Sequence, residues 1–184
     1  MTAKRSTAPT LRPRPLKIAS TSSKSSGVPG SRTLRLNDDW RDFLLALIST
    51  GTRFLLIGGH AIAVHAEPRF TADLDVFVLP SLANARRVRA ALVEFGFGRI
   101  APPARELAER NRVWMLGRKP RRIDILTGIS GVSFARANRG RRFVTVAGMI
   151  VPVIGRKALL EHKRASARPK ALADVALLAS TRKR

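Results

Sequence analysis

The chain has no cysteine and no tyrosine among its 184 residues. Without cysteine there can be no disulfide, no thiolate nucleophile and no Cys-based zinc or iron–sulfur site. Aromatic residues make up only 5%, which argues against a base-stacking nucleic-acid platform. No apolar run approaches the roughly 20 residues that cross a bilayer, so no membrane association is expected and the cytoplasm is. Acids are scarce as well: 12 Asp and Glu stand against 35 Lys and Arg, a formal charge of +23. A field of that sign attracts polyanions, nucleic acid before anionic membrane. What is present is a 45% hydrophobic chain, long enough for one domain with a sizeable core.

Residues 1–33 hold Lys4, Arg5, Arg12, Arg14, Lys17, Lys24 and Arg32, no acid, and much Ser, Thr and Pro. Such a stretch cannot bury enough apolar surface to offset its ordering entropy, so a flexible basic arm is expected. It lacks the apolar core of a secretory signal. Taking these seven from the 35 basic residues leaves 28 against 12 acids, so residues 34–184 still carry +16.

The remainder reads as helices around a small mixed sheet, an α/β or α+β fold in a single domain over 34–184. Asn37 can cap a helix with Asp38 and Asp39 in its first turn, and Trp40, Phe43, Leu44, Leu47 and Ile48 fall on one face. Phe54–Ile57 forms a short buried strand that Gly58-Gly59 ends, and Ala61–His65 makes a helical turn or two before Pro68. A helix runs over about 82–95 with Val88, Ala91, Leu92 and Phe95 inward, and a short one falls within 100–110. Strands at 112–116 and 121–126 flank a Gly117–Pro120 turn, and a helical turn covers 133–138. A hairpin spans 143–146 and 149–154. Two helices close the chain over about 155–180, the second opened by Pro169.

Leu74, Val76 and Val78 alternate with Asp73, Asp75 and Phe77, which is strand periodicity. Asp73 and Asp75 therefore share a face, roughly 7 Å apart along the chain. At 4 Å and an effective dielectric near 20, two such charges repel by about 4 kcal/mol, a cost that a divalent cation would remove. Asp124 lies between two isoleucines on a later strand, where a buried carboxylate needs a partner. Beside the Asp73/Asp75 strand it would complete three hard oxygen donors, a set for Mg²⁺ or Mn²⁺ and not zinc. Salt bridging, for Asp124 with Arg121 or Arg122, is the structural alternative. Gly58-Gly59, 14 residues ahead of Asp73, offers backbone N–H groups at a helix start for phosphate. Together these point to phosphoryl or nucleotidyl transfer.

Residues 57–75, IGGHAIAVHAEPRFTADLD, resemble the signature of the nucleotidyltransferase superfamily, a Gly-Gly helix followed by D-x-D. The nearer likeness is to small bacterial proteins grouped with abortive-infection nucleotidyltransferase toxins, whose R-x-T-x-D-[LI]-D run is matched by Arg69, Thr71, Asp73, Leu74 and Asp75. Residues 123–131 resemble that group's third-acid strand. Residues 163–174 resemble its C-terminal K-x-A-x-x-R-x-K-D-x-x-D segment. The likeness spans about 38–180. It implies Asp73, Asp75 and Asp124 as metal-binding and catalytic acids and Gly58 and Gly59 at the triphosphate, with Arg69, Lys163 and Arg168 helping to hold the nucleotide. Thr71 belongs to the same run. The implied partners are a nucleoside triphosphate, an RNA acceptor such as transfer RNA, and an antitoxin protein. The chain departs from the group at Ala167, where glycine is usual, at Ala171, where aspartate is, and at Ala66, where glycine commonly follows the histidine.

Other candidates are weaker. His60 and His65 are five apart, which disfavours a two-His zinc site on one helical face. His60 follows the glycines and can reach a phosphate, whereas His65 is expected to pack and His162 to lie on the surface. Ser130-Gly131 lacks the pattern of a nucleophile elbow. Trp40 and Trp114 are expected in the core. Two further readings stand beside the leading one: a catalytically silent nucleic-acid-binding protein of the same fold, and a D-x-D sugar-nucleotide glycosyltransferase, which leaves the Gly-Gly helix unexplained.

Overall fold

A computed structural model of the chain describes residues 34, 36–67 and 70–180; the expected basic arm and Arg69 lie outside these. Its elements, in order, are α1 (Asp38–Ser49), β1 (Phe54–Leu56), α2 (Gly58–His65), β2 (Asp73–Val78), α3 (Leu82–Glu94), α4 (Ala104–Leu107), β3 (Val113–Leu116), β4 (Arg122–Leu126), α5 (Phe134–Arg139), β5 (Arg142–Val146), β6 (Met149–Val153), α6 (Arg156–Ser166) and α7 (Pro169–Ser180). The strands form one mixed sheet in the order β3-β4-β2-β1-β6-β5. β2 runs antiparallel to β1 and parallel to β4, while β1 meets β6 in parallel through the pair Leu56↔Val153.

Central position explains composition. β1 and β2 sit inside the sheet, and Leu55, Leu56, Leu74 and Val76 are fully buried. Edge strand β5 instead exposes Phe143, and its partner β6 exposes Ile150. α1 begins as its sequence predicts, with Asn37 Oδ1 accepting from Trp40 N at 2.9 Å. Its face buries Trp40, Phe43, Leu44 and Leu47, but Ile48, expected with them, is 39% exposed at the last turn. α2 starts at Gly58, three residues earlier than its apolar run suggests.

One buried side chain ties three elements together. Asn84 in α3 accepts from Arg53 N at 2.7 Å and donates to the carbonyls of Arg53 and Leu79 at 3.1 and 3.0 Å. It thereby fixes the entry of β1 and the exit of β2, the strands that carry the site. At the other side α6 packs on α7, and α7 reaches α2. Among the described residues no helix is long and apolar enough to cross a membrane.

Candidate active site

Strand alternation and register assemble the site. β2 aligns with β4 so that Asp75 faces Asp124 and Asp73 faces Arg122. Because Arg122 and Asp124 are two apart on β4, both point the same way as the β2 acids. The result is three carboxylates and one guanidinium on a single sheet face. Arg122 Nη2 donates to Asp73 Oδ2 at 2.7 Å and to Asp124 Oδ2 at 2.8 Å. Its Nε lies 2.8 Å from Asp124 Oδ1, an ion-pair distance without hydrogen-bond alignment. Both expectations for Asp124 thus hold: it stands beside the Asp73/Asp75 strand, and it pairs with a neighbouring arginine.

Asp75 is the exception. Among the described residues it has no ion-pair partner, and burial, followed by the charges of Asp73 and Asp124, pushes its carboxyl up to about 6. Asp124 is also raised, by burial first, against the pull of Arg122. The two glycines make room for this arrangement. Gly58 has φ +64°, and a Cβ there would collide with Asp75 Oδ2. A Cβ at Gly59 would lie 2.7 Å from Thr71 Oγ1. Thr71 in turn faces Asp73 O at 3.1 Å and Asp73 Oδ1 at 3.2 Å. The glycine pair is therefore required by close approach of the site's own side chains, whatever else it binds.

These groups line a cleft of about 510 Å³ whose opposite wall comes from α6, the α6–α7 turn and the start of α7: His162, Lys163, Ser166, Arg168, Lys170 and Ala171. Lys163 Nζ holds Asp174 Oδ2 at 2.8 Å, with both side chains largely buried. Its charge also draws the Asp75 carboxyl downward. Acids on a sheet facing cations on helices leave a space suited to an anion that carries its own cation. Ala167 ends α6 in the left-handed conformation, φ 50° and ψ 16°, where glycine is the unstrained residue.

Asp73, Asp75, Asp124, Gly58, Gly59, Thr71, Lys163 and Arg168 all meet at the cleft. His60 does not: it is 3% exposed with its ring 5.0 Å from that of Trp40, edge to face. Among the described residues neither of its ring nitrogens has a hydrogen-bond partner, and burial lowers its pKa to about 4. The α2 turn that carries it points it into the core, away from any phosphate in the cleft. His65 is buried with Nε2 2.7 Å from Ile154 O, as a packed histidine should be. His162, expected on the surface, instead lines the cleft with Nδ1 3.2 Å from Ser130 O. Trp114 is half-buried against the core.

Among the described residues no group of three or more His, Asp or Glu side chains is arranged to hold a metal ion. The convergence expected of Asp73, Asp75 and Asp124 is occupied by Arg122, which spans two of them. The donor set nevertheless suits a hard divalent cation: all oxygens, with one half-buried carboxylate that has no ion-pair partner among the described residues.

No protein-family model matches the chain, and no curated protein does. Among solved structures it is similar to the crystal structure of ANT(2")-Ia in complex with adenylyl-2"-tobramycin. The two are 15% identical with a TM-score of 0.49, over 77% of this chain and 86% of that one. So distant a likeness leaves the chemistry to rest on the cleft's own residues.

Proposed function

We propose that the chain is a Mg²⁺- or Mn²⁺-dependent nucleotidyltransferase that moves a nucleoside monophosphate from a nucleoside triphosphate to an acceptor hydroxyl. The observation that carries this reading is Asp75, a carboxylate with no ion-pair partner among the described residues. It lies across from Asp124 and against the Gly58–Gly59 helix start, in a cleft whose other wall presents Lys163 and Arg168. Asp73, Asp75 and Asp124 would hold the cation, which supplies neutralisation of charge on the transferred phosphate and its leaving group. The chain's own groups do the rest. Backbone N–H groups at the start of α2 and the cations Lys163 and Arg168 orient the triphosphate. Asp124, buried with its proton affinity raised, is suited to accept the acceptor's proton as the bond forms. The net charge of +23 favours RNA, transfer RNA included, as acceptor. The family resemblance adds a toxin role with an antitoxin partner.

The test is incubation with Mg²⁺, each labelled nucleoside triphosphate in turn, and total RNA. Wild-type protein should transfer label with one nucleotide, and Asp75→Ala should reduce transfer by about 10²–10³-fold, the scale of an electrostatic contact made in the transition state. Undiminished transfer by that variant would sink the mechanism.

A second reading, a silent nucleic-acid-binding protein, is favoured by the arginine already seated between Asp73 and Asp124 and by Ala171 on the cleft wall. It requires nucleic-acid binding indifferent to magnesium and to Asp73.

A further inference from the structure

The acidic side of the cleft already holds a cation, and that cation is a side chain. Nη2 of Arg122 is shared between Asp73 Oδ2 and Asp124 Oδ2 at 2.7 and 2.8 Å, so one guanidinium nitrogen serves two of the three acids. The pairing is sheltered, with Arg122, Asp73 and Asp124 side chains 25%, 20% and 10% exposed. It is also built in by the backbone: register puts Arg122 opposite Asp73, and alternation puts it beside Asp124. A guanidinium so held fills the oxygens that a divalent cation needs. Charge-assisted contacts of this kind are among the stronger ones available to a side chain.

We propose that Arg122 is an internal counterion: it holds Asp73 and Asp124 in the metal-free protein, competes with the divalent cation for their oxygens, and transfers to triphosphate oxygens when the site is loaded. The proposal rests on the metal-dependent reading above. Its logic is one of charge. Were the acids to hold a divalent cation, Arg122 would lose Asp73 and Asp124 as partners and be repelled by the added charge. The displaced fork of donors, still in the cleft beside Lys163 and Arg168, then finds matching geometry in phosphate oxygens. Metal alone must break the arginine's contacts without replacing them, whereas metal with triphosphate replaces them. Binding of the two is therefore cooperative through Arg122, and the coupling acts equally in both directions.

Equilibrium Mn²⁺ binding by the full chain tests this, measured by the electron paramagnetic resonance of free Mn²⁺. Wild type, Arg122→Gln, Arg122→Lys and Asp75→Asn are compared with and without inorganic tripolyphosphate, correcting for Mn²⁺ bound by tripolyphosphate itself. Without tripolyphosphate, Arg122→Gln should bind Mn²⁺ at least tenfold more tightly than wild type, about 1.4 kcal/mol, and Arg122→Lys should fall between. Tripolyphosphate should tighten Mn²⁺ binding in wild type and much less in Arg122→Gln. An Arg122→Gln protein that unfolds cooperatively but binds Mn²⁺ no better than wild type overturns the proposal. Should that variant not fold, Arg122→Lys decides: affinity at or below the wild-type value overturns it. Binding that Asp75→Asn abolishes and Arg122→Gln leaves unchanged removes the counterion and leaves the transferase reading standing. Mn²⁺ binding absent from every variant removes both.

Discussion

Asp75 and His60 are two residues apart from ordinary behaviour in opposite senses, and the difference is measurable as stability against pH. His60 is buried neutral at about 4. Its contribution is fully present above its unfolded value near 6.5 and is lost as pH falls toward 4. Asp75 is raised from 3.8 to about 6, so the folded protein bears the cost of its charge above 6 and is relieved as pH falls toward 4. In wild type the two slopes oppose one another over pH 4–6. Asp75→Asn removes one of them. In EDTA the variant should be more stable than wild type at pH 7 by up to about 3 kcal/mol, and should lose stability more steeply on acidification. Urea midpoints from pH 7.5 to 4.5 check this; parallel profiles would refute it. Ala167 offers a simpler case. A Cβ in the left-handed region costs about 1 kcal/mol, so Ala167→Gly should raise stability by about that amount, read from the same midpoints. A loss of stability on that change would mean that the Ala167 methyl makes contacts worth more than the strain.

At the scale of elements, a buried ion pair joins α6 to α7. Asp174 is 1% exposed and holds Lys163 from the preceding helix. Removing one member of such a pair leaves the other uncompensated, at about 3–5 kcal/mol. Asp174→Ala should therefore loosen α6 and α7 together, seen as faster amide exchange across 156–180 while β2 and β4 stay protected. Uniform exchange loss would place the pair in the global core instead. Most elements were legible from residues near in sequence. Alternation marked β2, the Asn37 cap marked α1, and an acid among isoleucines marked β4. Periodicity is a local property, and these features are local. Arg122, His162 and Asn84 were not legible as site or staple residues, because each acquires its role from a partner fixed by tertiary register. The signal for Arg122 was nonetheless present: the same two-residue spacing that joined Asp73 to Asp75 joins it to Asp124. Nothing in the order of residues 58–65 could tell that His60 turns inward to Trp40.

For the whole molecule, charge sets the expected partner. A protein carrying +23 that neutralises 6–10 phosphates should lose about 10³–10⁵ in RNA affinity between 50 and 200 mM salt. A filter-binding series across that range measures the slope, and a flat one would exclude a backbone-led RNA contact. The sheet carries a different consequence. The acids come from β2 and β4, the opposing cations from α6 and α7, and β6, which leads into α6, touches β1 through the single pair Leu56↔Val153. That seam is extended by Ile154 N donating to Leu56 O at 3.0 Å and by His65 holding Ile154 O. Ile57 and Gly58, the next residues along, are already part of the cleft. The narrowest joint in the sheet thus adjoins the cleft, and the strand that delivers the cationic wall is joined to the acid-bearing strands through that short seam.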